Sequence, residues 1–214
     1  LDGLRVDTYP YIEKIPGSEW LKAIREEYPN LNLVGECWTR PAPAVAYWQS
    51  GAANFDGFDR QLPCVMDFPV EEAIRQALEN DGNYWGGGLT RVYDAMTMDY
   101  MYADVNNLLT FLGNHDMGRI GGFIAKAHPE ASDEELLART TLAHALMMFS
   151  RGVPVIYYGD EQGYAGIGGY GASRADMFTS QVADYASHAR IGGQRPPFDT
   201  ASPLYQRLSE MGAL

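Results

Sequence analysis

Apolar segments of strand length alternate with amphipathic helical segments along this chain, and the alternation limits the folds that it can adopt. The strand-like segments LDGLRVD, LNLVGECW and NNLLTFLGNHD end at or near Asp7, Glu36 and Asp116. A continuously apolar strand is typical of a sheet that is covered on both faces. The alternation therefore predicts an α/β fold built from βα repeats around a parallel sheet. Periodicity alone does not choose between a barrel and a doubly wound sheet.

Three further segments extend the same pattern. VMDFPVEEAIRQALEN predicts a strand end followed by a helix, and GVPVIYYGDEQG predicts a strand over Val153 to Tyr158. Ser132 and Glu135 form an S-x-x-E capping box at the start of another helix. The predicted apolar helix faces are Trp20, Leu21, Ile24 and Tyr28 in the first helix, Ala73, Ile74 and Ala77 in the second, and Leu204 and Leu208 in the last.

Composition excludes several classes of function. The net charge of −12 argues against binding to a nucleic acid backbone. Two cysteines, Cys37 and Cys64, are too few for a disulfide framework and are predicted to be small buried residues. No apolar run is long enough to span a bilayer. The chain starts at Leu1 inside a predicted strand, so we expect an excerpt of a longer protein, and neither the compartment nor the oligomeric state is predicted.

Two other features receive ordinary structural interpretations. The glycine-rich segment GIGGYG, Gly166 to Gly171, resembles a phosphate-binding loop, but no amphipathic helix follows it directly. It is predicted to be a flexible surface loop. The isolated histidines His128, His144 and His188 are predicted to be surface or helix residues rather than metal ligands.

Carboxylates end three of the predicted strands, where parallel α/β folds collect their functional groups. Arg5 precedes Asp7 by two residues, so both side chains point to one face of the strand and Asp7 is kept ionised. Glu36 lies beside Cys37 and Trp38, where partial burial favours the protonated form. His115 next to Asp116 is compatible with a metal pair, a general base or a contact to a hydroxylated ligand.

The combination of these residues is more informative than any one of them. Two carboxylates of opposite proton affinity on neighbouring strand ends are typical of glycoside hydrolysis. The alternative is a two-metal phosphoesterase, because such enzymes also contain G-N-H-D. That class needs further ligands ahead of this motif, and the chain has no D-x-H, while its one G-D dipeptide, Gly159-Asp160, comes afterwards. We therefore predict no metal site.

Three ordered motifs resemble signature regions of the alpha-amylase family of glycoside hydrolases. DGLRVD, VGECW and FLGNHD are similar to the second, third and fourth regions, and GVPVIYYGDEQGYAG resembles the eighth barrel strand. DTYPYIEK and MDFPVEEAI are similar to the cyclomaltodextrinase and neopullulanase branch. The resemblance implies a partial (β/α)8 TIM barrel. Residues 1–214 would supply roughly strands four to eight with their helices, without the N-terminal strands and without any C-terminal β-domain.

The resemblance also implies residue roles. Asp7 would be the nucleophile, Glu36 the general acid/base and Asp116 the transition-state stabiliser. The implied substrate-binding residues are Arg5, His115, Trp38 and Arg119. Where many amylases carry a Lys-His pair that binds sugar and calcium, this chain has Pro10 and Tyr11. The resemblance does not extend to that acceptor subsite or to a calcium ion there, and no essential cofactor is predicted.

These expectations lead to one main function and two alternatives. The main one is a retaining hydrolase of alpha-1,4-linked glucans such as starch, maltooligosaccharides, cyclodextrin or pullulan, acting through a covalent glycosyl-enzyme intermediate. The first alternative is a transglycosidase or isomerase on the same scaffold. The second is a non-catalytic amylase-like binding module or an inactive fragment. The implied partner is an alpha-glucan, with no nucleic acid and no membrane span.

Overall fold

The structure of the chain is a computed structural model. It describes residues 1–82, 86–178, 181 and 189–214, with the backbone alone at residues 169 and 170. The described residues form two compact units. The first comprises residues 1–73, 92–110 and 151–154, and the second comprises residues 74–91, 111–150 and 155–214.

The strands of the described residues follow one another in chain order. They are β1 (Gly3–Val6), β2 (Asn32–Gly35), β3 (Cys64–Val65), β4 (Leu109–Phe111) and β5 (Val153–Val155). β1 pairs with β2 and β2 with β3, both in parallel, which confirms the predicted parallel sheet for these strands. β4 pairs with β5, and a parallel bridge between Met66 and Leu109 continues the order from β3 to β4. Such sequential order is typical of a barrel, because a doubly wound sheet reverses its order at a switch point.

Helices separate most of the strands. They are α1 (Lys14–Glu27), α2 (Ala42–Ala46), α3 (Phe68–Glu79), α4 (Thr90–Met96), α5 (Ile120–Ala127), α6 (Asp133–Phe149), α7 (Gly169–Ala172) and α8 (Pro203–Gly212). The Ser132 hydroxyl accepts a hydrogen bond from the Glu135 main-chain N–H at 3.2 Å, so the predicted cap of α6 is confirmed. None of the helices in the described ranges is long and apolar enough to cross a membrane.

Two predictions, one about the apolar face of α1 and one about the length of β5, differ from the structure. Leu21 of α1 is fully buried, but Trp20 and Tyr28 are about half exposed, so the predicted apolar face of α1 was too wide. β5 ends at Val155 instead of continuing to Tyr158, because a turn closed by the Asp160 main-chain N–H and the Tyr157 carbonyl follows it. Apolar composition by itself did not reveal where this strand ends.

Each unit has its own apolar core. In the first unit the core joins residues of β1, β2 and α1 to the segments that follow them, and its members include Val6, Leu21, Leu33, Cys37, Val45, Leu62, Val65 and Leu108. In the second unit α6 and α8 pack together through Leu137 and Leu204, with Ala165 and Ile191. Leu204 and Leu208 are both buried, as their spacing predicted.

An ion cluster joins three segments of the first unit. The Arg151 guanidinium donates to Asp67 and, at 2.6 and 3.0 Å, to both carboxylate oxygens of Asp99. Asp67 is fully buried, and its main-chain N–H donates to the Leu109 carbonyl at 2.9 Å. Its side chain also accepts from the Val70 N–H in the first turn of α3. Burial raises the pKa of Asp67, and the Arg151 charge opposes that rise.

Removing the cation of this cluster should destabilise the protein. We expect Arg151→Met to cost about 3–5 kcal/mol of unfolding free energy, because it leaves a buried carboxylate uncompensated. Without Arg151 the pKa of Asp67 rises further above its unfolded value, so the loss should be larger at pH 8 than at pH 5. Urea unfolding of the full-length protein measures both effects.

Arg139→Met is the matched control for that substitution. Arg139 pairs with Asp81 and Glu135, whose side chains are 65% and 47% exposed. Exposed pairs contribute about 0–1 kcal/mol, so the control should lose little stability at either pH. Equal losses in the two variants would contradict the importance of the Arg151 cluster.

The exposed apolar edge of β5 predicts self-association of the 214-residue chain. Val153, Val155 and Ile156 are 38–50% exposed, and β5 has a paired strand on one side within the described residues. Such an edge is a template for pairing with another chain. Val155→Lys should reduce the associated fraction in sedimentation velocity, whereas Phe149→Lys, which removes an exposed apolar residue from a helix, should not. A monomeric chain with a sharp, reversible unfolding transition would contradict this.

Both cysteines should be unreactive in the native protein. Burial raises the pKa of the Cys64 thiol to about 11 and also raises the pKa of the fully buried Cys37. Because the thiolate is the reactive form, iodoacetamide at pH 8 should modify neither residue until the full-length protein is unfolded. Ser209→Cys, at an exposed position of α8, is the positive control for mass spectrometry. Rapid native labelling of Cys37 would show that the core of the first unit opens.

Candidate active site

The first group of predicted site residues lies at the carboxyl ends of β1 and β2. Val6 is paired with Gly35 in the parallel register, so Asp7 and Glu36 follow adjacent strand ends. Arg5 contacts both carboxylates: Nη1 lies 3.3 Å from Asp7 Oδ2, and Nη2 donates to Glu36 Oε1 at 2.6 Å. The structure therefore brings three of the predicted residues together through one guanidinium group.

Glu36 is buried and accepts hydrogen bonds on both carboxylate oxygens. Its second partner is the main-chain N–H of Thr8, at 3.1 Å from Oε2. Thr8 has a left-handed backbone with φ of 47°, which turns the chain after Asp7 back toward Glu36. The sequence had indicated the burial of Glu36 but not its two hydrogen-bond donors.

Asp7 and Trp38 are accessible from solvent. The Asp7 side chain is 64% exposed, although Arg5 holds one of its oxygens. Trp38 is 54% exposed, and its indole stacks on the Phe68 ring at 5.3 Å with an interplanar angle of 10°. Phe68 therefore fixes the orientation of a ring that still presents a large surface to solvent. A stacking contact of Trp38 with a sugar stays a prediction.

The second group lies in a tight turn directly after β4. The Asn114 side-chain oxygen accepts from the main-chain N–H groups of Asp116 and Met117 at 2.9 and 2.8 Å. Asn114 and Gly118 also exchange two main-chain hydrogen bonds. Gly118 has φ of 109°, a conformation that glycine adopts far more readily than other residues. In this turn His115 Nε2 lies 3.2 Å from Asp116 Oδ2.

The start of the glycine-rich segment, Gly166 and Ile167, packs against this turn. The Gly166 carbonyl accepts from the Arg119 main-chain N–H at 3.1 Å, and Ile167 forms an antiparallel bridge with Gly118. A Cβ atom on Gly118 would come within 2.7 Å of the Ile167 backbone. The glycines therefore permit close contact between two chain segments.

Arg119 is fully buried in the second unit. Its guanidinium donates to the Tyr158 carbonyl at 2.5 Å and to Asp160 at 2.8 Å, and it lies over the rings of Tyr157, Tyr158 and Tyr164. Burial raises the pKa of Asp160, and Arg119 opposes that rise. In this structure the contacts of Arg119 are internal to the protein. Its contact with a sugar stays a prediction.

His128 and His144, which lie outside the FLGNHD motif, each contact a main-chain carbonyl. His144 is buried on α6, its Nδ1 is 2.8 Å from the Thr140 carbonyl, and its Nε2 is 4.0 Å from Asp160. His128 follows α5, and its Nε2 is 2.7 Å from the Leu78 carbonyl. His188 lies outside the described residues. In the parts of the chain that the structure describes, no group of three or more His, Cys, Asp or Glu side chains is arranged to hold a metal ion.

Sequence reasoning missed three polar groups that contact the candidate residues. They are the Thr8 main-chain N–H at Glu36, the Asn114 side chain beneath Asp116, and Arg174, which donates to Asp116 Oδ1 at 3.0 Å. Asn114 belongs to the FLGNHD motif and could have been identified as a turn former, because Asn side chains form hydrogen bonds with backbone N–H groups two residues ahead. Arg174 carries no local signal of this kind.

The amino-acid sequence matches a known family over most of its length. The model of the alpha-amylase catalytic domain matches residues 1–191. An alpha-amylase of Streptomyces lividans is 34% identical over 227 residues, which cover 100% of this chain and 23% of that protein. A cyclomaltodextrin glucanotransferase of Bacillus sp. (strain 38-2) is 29% identical and is covered to 25%. The chain thus spans about a quarter of the length of these relatives.

Solved structures give the same result for the fold. The alpha-amylase of Anoxybacillus superimposes with a TM-score of 0.72 at 21% identity, over 100% of this chain and 39% of that one. The alpha-amylase of Geobacillus thermoleovorans, solved with acarbose, gives 0.70 at 22% identity, over 99% and 39%. These neighbours imply a (β/α)8 barrel fold, of which this chain covers part. By its match over residues 1–191, the chain belongs to the family of alpha-amylase catalytic domains.

Proposed function

We propose that this chain carries the catalytic groups of a retaining glycosidase that cleaves alpha-1,4-linked glucans. Asp7 is the nucleophile, Glu36 the general acid/base and Asp116 the stabiliser of the transition state. The observation that carries the proposal is the pair of carboxylates at adjacent strand ends, both in contact with Arg5. One of the pair is exposed and the other is buried, which gives them different surroundings as the reaction requires.

The proposed reaction has two steps. Asp7 attacks the anomeric carbon and forms a covalent glycosyl-enzyme ester, while protonated Glu36 gives its proton to the departing glycosidic oxygen. A water molecule then loses a proton to Glu36 and attacks the same carbon, which releases Asp7 as a carboxylate. Arg5 pairs with the released Asp7 carboxylate between turnovers. Glu36 must exchange one of its present hydrogen bonds for a contact with the leaving oxygen.

The remaining candidate residues act on the sugar in this proposal. Asp116, with His115 beside it, favours the positive charge that develops on the sugar ring. Arg5 and His115 contact the nucleophile or the sugar in the subsite before the cleaved bond, and Arg119 is a further donor-side candidate. The exposed face of Trp38 stacks on a sugar ring. Pro10 and Tyr11 replace the Lys-His pair of many amylases, so the acceptor side differs from theirs.

The domain assignment is also a proposal. We infer that residues 1–214 are the C-terminal portion of the catalytic barrel, with roughly strands four to eight. The sequential strand order and the coverage of 39% of the similar alpha-amylase structures support this inference. The branch proposed is the cyclomaltodextrinase and neopullulanase branch, which is supported by the segments DTYPYIEK and MDFPVEEAI.

A transglycosidase is the second candidate function. Several similar curated proteins are named cyclomaltodextrin glucanotransferase, which act on the glycosidic bond by transfer. Such an enzyme would form the same ester on Asp7 and would differ only in the acceptor that resolves it. Product analysis with and without an added acceptor sugar separates the two reactions. A non-catalytic binding module is disfavoured because Asp7, Glu36 and Asp116 are all present.

Release of reducing sugar from starch, pullulan and beta-cyclodextrin by the full-length protein tests the proposal. We expect cleavage, and preference for beta-cyclodextrin or pullulan over starch would support the proposed branch. Asp7→Asn and Glu36→Gln should each lower kcat by at least about 10³-fold, because each removes a group that takes part in bond making or breaking. Glu26→Gln, on the exposed face of α1, is the matched control. Full activity of Asp7→Asn would refute the assignment.

A further inference from the structure

The Asp116 carboxylate has a basic side chain close to each of its oxygens. Oδ2 lies 3.2 Å from His115 Nε2, and Oδ1 accepts from Arg174 Nη2 at 3.0 Å. Arg174 also donates from Nε to the main-chain carbonyl of His115 at 3.1 Å. One planar guanidinium thus contacts the side chain of Asp116 and the backbone immediately before it. The two contacts together fix the angle between the Asp116 carboxylate and this backbone, which a single hydrogen bond would leave free.

The backbone on each side of this contact is also held in place. Asn114 fixes the Asp116 main-chain N–H, so the remaining freedom of Asp116 is in its side-chain torsions. Arg174 comes from a segment 58 residues later in the chain. The hydroxyl groups of Tyr157 and Tyr158 donate to the carbonyls of Ser173 and Ala175, the two neighbours of Arg174, at 3.1 and 3.0 Å. Two side-chain hydrogen bonds therefore anchor the backbone on both sides of Arg174.

We propose that Arg174 is a positioning residue for Asp116, which sets the orientation of that carboxylate toward the reacting sugar. This inference rests on the proposed function, in which Asp116 stabilises the transition state. The contribution of Arg174 is geometric rather than electrostatic. Its positive charge reduces the attraction between Asp116 and a developing positive charge, so a favourable effect on rate must come from alignment.

Lysine at this position separates geometry from charge. A lysine ammonium retains the charge but cannot place two coplanar donors on the Asp116 carboxylate and the His115 carbonyl. If alignment is the function of Arg174, Arg174→Lys should lose nearly as much activity as Arg174→Met. If charge alone mattered, the lysine variant would keep its activity.

Kinetics of the full-length protein with p-nitrophenyl α-maltotrioside test the proposal. We expect Arg174→Met and Arg174→Lys to lower kcat by about 10- to 100-fold, since small misplacements of a group near the chemistry have effects of this size. KM should change by less than about threefold, because alignment of Asp116 matters mainly in the transition state. Arg195→Met is the control: Arg195 is similarly exposed and is paired with Asp199, away from Asp116.

A double-mutant cycle distinguishes positioning from a merely structural role. In an Asp116→Asn background, Arg174→Met should change kcat by less than about threefold, because the group that it orients is already lost. Equal reductions in both backgrounds, or full activity of Arg174→Met, would overturn the proposal. If Arg174→Met does not fold by circular dichroism, the lysine variant provides the same comparison. Full activity of Asp116→Asn alone would refute the assigned role of Asp116, and the role of Arg174 with it.

Discussion

The buried Asp67 carboxylate, neutralised by Arg151, is the interaction on which the first unit depends. Asp67 lies two residues after β3, and it contacts the first turn of α3 through its side chain and β4 through its main-chain N–H. Arg151, which lies in the segment before β5, connects Asp67 to the helical turn that contains Asp99. The strand ends that carry Asp7 and Glu36 belong to the same sheet as β3. Burial of the Asp67 carboxylate costs desolvation free energy. Its contacts in return fix the relative positions of several chain segments.

Local sequence signals predicted the elements that depend on neighbouring residues. The Ser132 cap, the buried face of α3 and the parallel strands ending before Asp7 and Glu36 follow from short-range chemistry and apolar spacing. The exposure of Trp20 did not follow, because it depends on which distant segments cover this residue. Apolar character shows that a residue favours burial, but it does not show that the fold supplies a partner.

The same distinction applies to the candidate site. Arg5, Asp7 and Glu36 could be predicted together because parallel strands bring their carboxyl ends to one edge. Arg174 could not be predicted, since 58 residues separate it from Asp116 and no spacing rule connects them. The contact between the glycine-rich segment and the Asn114 turn was not predicted for a related reason. Glycine indicates that the backbone needs freedom or close approach, but the sequence does not say which segment approaches.

The close pairing of Gly118 with Ile167 has a consequence for the exchange of loops between related enzymes. Because Gly118 admits no side chain against the Ile167 backbone, neither segment can vary independently in shape. If only the segment before Arg174 were replaced by that of a relative, the new segment would not fit against the turn that contains Asp116. Residues 113–119 and 164–175 therefore constitute one interchangeable cassette, and recombination within it should yield fewer folded proteins than recombination at its boundaries.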